Sequence, residues 1–358
     1  MSVFHDCHVH LTDYVQKGPD LRQFLSVMGN TVGRAALFGI PLQQKWSYRI
    51  SGNDAPTYYL QTDAPLYYYS FTDAHIAMQY RALPQALQAR LDPMITGFNP
   101  ADMYAADHIR RVLETFPGVF TGIGEFTIHK EFVSSKLGSE VPSLNDPAVD
   151  RIFELAAEVG LLVLLHCDMD TPFPKPGAKP TFLAPMRALL RRHPRTTVIW
   201  AHLGLGRVIR PVHQHAKIIE AILKDPAYSN VNFDISWDEL AKYVDYTPET
   251  AKRAADVINR YPDRFLFGTD EVAPVDRRKY TRIFDLYGRL WELLDRRVIE
   301  KVRKGNFERL FDQARRRVRA WERRQGLHAN GHAPALPRGA VLAANDNMLR
   351  GARAAHRH

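Results

Sequence analysis

Cysteine is nearly absent from this chain, with only Cys7 and Cys167 among 358 residues. Two thiols are too few for a disulfide framework, so a reducing cytoplasm is the expected setting. No apolar run approaches the roughly 20 residues of a membrane-spanning helix, so no membrane role is expected. The first strand is expected almost at Met1, which leaves no room for a signal peptide. A Gly-rich phosphate loop is also missing after that strand, against an open nucleotide-binding sheet. Charge of one sign is scarce over most of the chain. The formal net charge is +9, yet residues 295–325 carry 12 Lys/Arg against 5 Asp/Glu and the tail from 326 carries 4 Arg against 1 Asp, leaving residues 1–294 at −1. Nucleic acid is therefore not the expected ligand of the body.

What is present is ordinary for a soluble globular enzyme: 45% hydrophobic and 24% charged residues. Almost wholly apolar runs such as Leu161-Leu-Val-Leu-Leu-His166 indicate strands covered on both faces, as in parallel sheets flanked by helices. Strand ends at Glu125, His166, His202, Ser236 and Asp270 recur every 34 to 41 residues, the length of a strand, a helix and two loops. Eight such units can be counted, and an α/β closed barrel satisfies them best. One domain is expected over residues 1–325, with a disordered basic tail over 326–358. After the second strand, residues 43–72 form an aromatic insertion with Trp46, Tyr48, Tyr58, Tyr59, Tyr67, Tyr68, Tyr69 and Phe71. Loops of this length are usually lids or binding loops. A helix is expected over Asp73–Arg90, and another, Asn306–Arg324, closes the domain.

Metal-competent side chains fall at the C-terminal ends of the expected strands, where barrels of this kind place their chemistry. His8 and His10 are two apart on a strand and share a face, whereas a helix would set them about 200° apart. Glu125, His166, His202 and Asp270 end later strands. Each alone has a structural reading, such as a salt bridge, a cap or a satisfied loop carbonyl. Together they require a cation, because a barrel end rarely buries several histidines and two acids without one. Cys7 is expected to face the helices by alternation, and Cys167 to be a packed thiol.

The fragments Asp6-Cys-His8-Val-His10, Gly-Ile-Gly-Glu125, Leu-His166-Cys-Asp, Ala-His202-Leu-Gly and Phe-Gly-Thr-Asp270 resemble the amidohydrolase superfamily, in particular its amidohydrolase 2 branch. Gly305-Asn-Phe-Glu-Arg-Leu-Phe311 is similar to the helix that often closes that branch. The resemblance implies a distorted (β/α)8 TIM-like barrel that binds one or two divalent ions, with zinc the expected metal. It assigns His8, His10 and Asp270 to a first ion and His166 and His202 to a second. In one-metal members His166 is a ligand and His202 assists catalysis. Glu125 stands where many two-metal members carry a carboxylated lysine, and a carboxylate can span ions about 3.5–4 Å apart, so two ions are expected.

The implied reaction is hydrolysis of an amide, ester or lactone in a small molecule. Zinc can bring the pKa of water from about 15.7 to about 7. Asp270 would take the proton and return it to the leaving group, while a metal or His202 polarises the carbonyl. Arg207 and Arg210 are candidates to clamp a substrate carboxylate, and Trp237 to wall the pocket. Asp238, His129 and Asp168 are expected around the site, and His213 and His215 to be structural. The alternative within the same branch is non-oxidative decarboxylation of an aromatic or unsaturated acid. A third reading is a nucleic-acid-binding protein or nuclease using the basic last helix. A solvated face or a contact in a homo-oligomer explains that helix more simply.

Overall fold

The computed structural model describes residues 2–138, 141–175, 177–207 and 212–328. Its main sheet has nine parallel strands: β1 Phe4–His10, β2 Val32–Phe38, β3 Leu91–Ile95, β4 Gly122–Thr127, β5 Leu162–His166, β6 Val198–Trp200, β7 Val231–Ile235, β8 Phe265–Phe267 and β9 Glu271–Val272. Their spatial order is β8-β7-β6-β5-β4-β3-β2-β1-β9. The two edge strands are consecutive pieces of chain joined by Gly268-Thr269-Asp270. β8 pairs with β7, β9 pairs with β1 at Val9 and His10, and the Asp270 amide donates to His8 O at 2.8 Å. The eighth strand of the barrel is thus broken in two, and the break carries Asp270.

The barrel is filled and wrapped by two separate apolar clusters. Inside it, Ala36, Met94, Leu162, Leu164, Ile199 and Leu266 meet, with Phe307, Leu310 and Phe311 entering from the last helix. Outside, residues of opposite parity, such as Val163, Leu165 and Phe233, pack beneath amphipathic helices. Two of those helices start on capping boxes, at Asp20 and Thr247, which satisfy amides that no helical carbonyl can reach. The helix Asn306–Arg324 closes the N-terminal end of the barrel. Arg315 donates to Leu91 O, Arg319 to Phe120 O, and Asn306 to Phe265 O, all near strand starts.

Three expectations need correction. The helix placed at Asp73–Arg90 is two helices, Phe71–Arg81 and Gln85–Gln88, because Pro84 has no amide to continue the first. Cys7 does not face the helices. A register irregularity in β1 between Asp6 and Val9 turns both Cys7 and His8 inward, and Cys7 joins the inner cluster. The insertion is less irregular than its composition implies. It holds an antiparallel hairpin, Leu42–Gln44 with Leu66–Tyr68, and a one-turn helix, Tyr48–Ser51. Its Leu42, Tyr59 and Leu66 pack with Tyr14 and Val133, which follow β1 and β4, so it lies at the C-terminal end of the barrel. Of the tail, residues 329–358 lie outside the described residues.

Candidate functional site

All six side chains singled out as ligands converge at the C-terminal mouth of the barrel. His8 and His10 come from β1, Glu125 from β4 and His166 from the end of β5. His202 follows β6, and Asp270 lies between β8 and β9. His8 Nε2 lies 3.1 Å from Asp270 Oδ1, and His10 Nε2 lies 3.2 Å from the same oxygen and 3.2 Å from Glu125 Oε2. Glu125 Oε1 is 2.7 Å from His166 Nδ1, 3.6 Å from His202 Nε2 and 3.8 Å from His8 Nε2. Backbone geometry supports this convergence. Gly124 has φ +125°, and a Cβ there would overlap Leu164 O, so only glycine lets Glu125 approach the neighbouring strand. His202 and Asp270 themselves sit at φ 52° and 54°, a left-handed conformation uncommon for such residues and concentrated at functional sites.

The electrostatics show what this cluster demands. Burial pushes Glu125 up, but the Lys130 ammonium and the His166 and His10 rings hold it well below the usual carboxylate range. Asp270 is likewise held down, against burial, by His8 and His202. His8 is raised by Asp270 and Asp234 despite its burial, whereas burial lowers His202. The acids are therefore ionised, and the counter-charge comes from rings that carry it only when protonated.

A divalent ion fits this donor set. Among the described residues His8 Nε2 and His202 Nε2 are buried without a hydrogen bond of good geometry, though both point at carboxylates. Ligands at the 2.0–2.1 Å typical of zinc lie about 3.3 Å apart in a tetrahedron, close to the separations found here. Two ligand groups emerge, His8–His10–Asp270 and His8–Glu125–His202. A third, Glu131–His166–Asp168, lies on the far side of the His166 ring. There His166 Nε2 meets Asp168 Oδ1 at 3.0 Å, which fixes the ring and leaves Nδ1 directed at Glu125.

Some neighbours of the cluster were not foreseen. Asp234 on β7 lies 2.9 Å from His8 Nδ1 and accepts the His202 amide at 2.7 Å, so one buried carboxylate orients two of the rings. Ser236 Oγ meets His202 Nδ1 at 2.8 Å and donates to Asp234 at 2.6 Å. Both residues lie on an expected strand with the parity of the inner face, and that alternation was the available signal. Lys130, three residues past β4, also escaped notice. Its ammonium lies 6.0 Å from the centre of the Trp237 ring. The expected pocket residues divide. Trp237 lies beside His202, the rings tilted by 47° with centres 4.9 Å apart, and Arg207 lies over the same indole at 5.0 Å from its centre. The His129 ring stacks on Phe182 at 3.9 Å, and His215 Nε2 is 2.9 Å from Leu203 O. Asp238 begins the helix Asp238–Val244. Arg210 lies outside the described residues.

Comparison with known proteins agrees with this geometry. No curated protein matches the chain. Among solved structures, an amidohydrolase from Burkholderia multivorans with bound zinc is 14% identical, with TM-score 0.53 over 87% of this chain and 99% of the other. Dihydroorotase from Campylobacter jejuni is 14% identical, with TM-score 0.51 over 86% and 83%. A 2,6-dihydroxybenzoate decarboxylase from Rhizobium is 13% identical, with TM-score 0.50 over 87% and 99%. At these identities the likeness establishes a TIM-barrel fold. The Amidohydrolase family model (Amidohydro_2) matches residues 5–313, nearly the whole described barrel and every residue of the cluster. A match over that span shows the family, and this chain belongs to the amidohydrolases.

Proposed function

We propose that this enzyme hydrolyses an amide, ester or lactone bond in a small molecule, using divalent metal held at the mouth of the barrel. The observation that carries the reading is the junction of Glu125 and Asp270 with four histidines, two of which present buried nitrogens that make no hydrogen bond of good geometry among the described residues. His8, His10 and Asp270 would hold a first ion, His166 and His202 a second, with Glu125 between them; zinc is the metal this donor set favours. Such ions supply Lewis acidity, which polarises a carbonyl and makes water acidic enough to ionise near neutral pH.

The remaining work falls to the chain itself. Asp270 presents Oδ1 to His8 and His10 and leaves Oδ2 facing His202 at 3.9 Å. His8 and His202 hold it ionised, so Oδ2 is free to accept the proton of the attacking water and pass it to the leaving group. Asp234 and Ser236 keep the rings of His8 and His202 in fixed orientations, and Asp168 does the same for His166. Trp237 walls the pocket beside His202 and suits a planar substrate.

One observation favours a second reading, decarboxylation of an aromatic acid: the indole of Trp237 carries cations on it at the edge of the site. The decarboxylase from Rhizobium has the same fold. A Glu125 carboxylate joining two ions, as proposed, favours hydrolysis. Product analysis of the zinc-loaded enzyme on lactones, aryl esters, amides and hydroxybenzoates separates the two. Acid plus alcohol or amine supports the proposal, and CO2 release without hydrolysis overturns it.

A further inference from the structure

We propose that Lys130 and Arg207, set on the indole of Trp237, form a seat for a carboxylate at the mouth of the site, so that the substrate is a small planar organic anion. The inference builds on the proposed hydrolytic site only in taking the metal cluster as the place of reaction.

Three observations carry it. First, both cations belong to the same wall as the cluster. The Trp237 ring lies 4.9 Å from the His202 ring, with Lys130 Nζ 6.0 Å and Arg207 Cζ 5.0 Å from the indole centre. A ligand one aromatic ring long, lying along the indole, therefore reaches from the histidines to the cations. Second, both cations are underpaired. Among the described residues no carboxylate lies within 4.0 Å of the Lys130 ammonium, although the side chain is partly buried. Arg207 has a single acid, Glu239 at 3.2 Å, and Glu239 is shared with Lys242 at 2.8 Å. Arg207 Nη2 donates to the Tyr58 hydroxyl at 3.0 Å, while its buried Nε and the buried Tyr59 hydroxyl lack hydrogen bonds of good geometry.

Third, the acid that acts most strongly on Lys130 is Glu125, which lies beyond ion-pair distance. Burial lowers the Lys130 pKa, but Glu125, with Tyr14 and Tyr59, raises it well above the ordinary lysine value. A guanidinium is suited to a carboxylate, to which it can donate two parallel hydrogen bonds. The aromatic surround, Trp237 with Tyr58 and Tyr59, excludes water and matches a flat apolar body.

Isothermal titration of the zinc-loaded protein with isophthalate and with 3-acetylbenzoate, neither of which has a bond the enzyme could hydrolyse, tests this. The two probes have one shape and share one carboxylate, and they differ in whether the second group is charged. Wild type should bind isophthalate at least tenfold more tightly. Lys130→Met and Arg207→Met should each cut that preference severalfold, their combination should bring it within twofold, and Lys130→Arg should retain most of it. Zinc content and unfolding midpoint are checked for each variant, and the single variants suffice should the double variant not fold. Equal binding of both probes by wild type overturns the proposal, as does a preference that survives both single substitutions in folded, zinc-loaded protein. Because binding is read without turnover, a protein that shows the preference yet cleaves no ester, lactone or amide refutes the hydrolytic reading alone.

Discussion

The two ends of the barrel bury acids in opposite ways. At the N-terminal end Asp92 is fully buried, and it accepts from Arg34 at 2.8 Å and from Arg315 at 2.6 Å. Glu322, 4% exposed, takes the Gly118 amide at 3.0 Å and pairs with Arg319. At the C-terminal end Glu125, Asp234 and Asp270 meet histidines, and the nearest fixed cation, Lys130, is beyond ion-pair distance. A guanidinium is charged at every working pH, so the lower acids are neutralised permanently by the protein. An imidazole is charged only when protonated, so the upper acids are neutralised conditionally and remain available to a metal. The same residue type is paired with a permanent charge at one end and with a titratable one at the other. The comparison also reassigns part of the basic C-terminal helix: Arg315 and Arg319 are spent on the barrel floor.

The sharpest way to break this contrast is at the upper end. His8→Ala with His10→Ala should remove bound metal and lower turnover on the order of a thousandfold or more, while the fold persists. Elemental analysis decides it, and a double variant with its full metal complement would end the assignment. Glu125→Gln comes next. Two cations without an anion between them repel, so metal should fall from about two ions to about one, with a loss of activity on the order of a hundredfold. If the wild type carries one ion and the substitution changes neither its binding nor catalysis, the bridging role is wrong.

The lower end should answer differently. Arg315→Met leaves Asp92 buried with half its compensation, and urea unfolding should show a loss of about 2–4 kcal/mol with metal content unchanged. A variant that loses metal without losing stability would erase the distinction between the two ends.

Asp73 sharpens the comparison from a third position, a fully buried acid with neither arginine nor histidine. Among the described residues it accepts only the Thr96 and Gly97 amides, at 3.0 and 2.8 Å. Burial pushes it up to about 7. A carboxyl whose folded pKa is raised holds its proton more tightly when folded, so its stabilisation is complete below its unfolded value and is lost as pH rises through about 7. Between pH 5 and pH 8 the stability of wild type relative to Asp73→Asn should fall by about 2–3 kcal/mol. Parallel unfolding curves for the two proteins across that range would show that Asp73 does not titrate there.

Much of the site was legible because strands alternate and barrel chemistry sits at strand ends. His8, His10, Glu125, His166, His202 and Asp270 could be gathered from spacing and residue type, each at the close of an apolar run. The last helix, Asn306–Arg324, also showed its bounds, since its apolar face recurs at helical spacing. Cys7 was misread because a one-residue irregularity in β1 is a property of its pairing with β2 and leaves no mark in the sequence. Pro84 could have warned against one long helix, but the surrounding residues favour helix on both sides.

By itself, then, the amino-acid order determined the parallel α/β architecture, the strand ends and the identity of the side chains offered there. These follow from local periodicity and from chemistry carried on single residues. Tertiary structure alone decided which acids are neutralised by arginine and which by histidine. It also brought Asp234 behind His8 and set Lys130 and Arg207 on Trp237. Those partners lie between 30 and more than 220 residues apart in the chain. Only closure of the barrel brings them into contact, because coulombic and hydrogen-bond energies depend on distance in space and take no account of distance along the sequence.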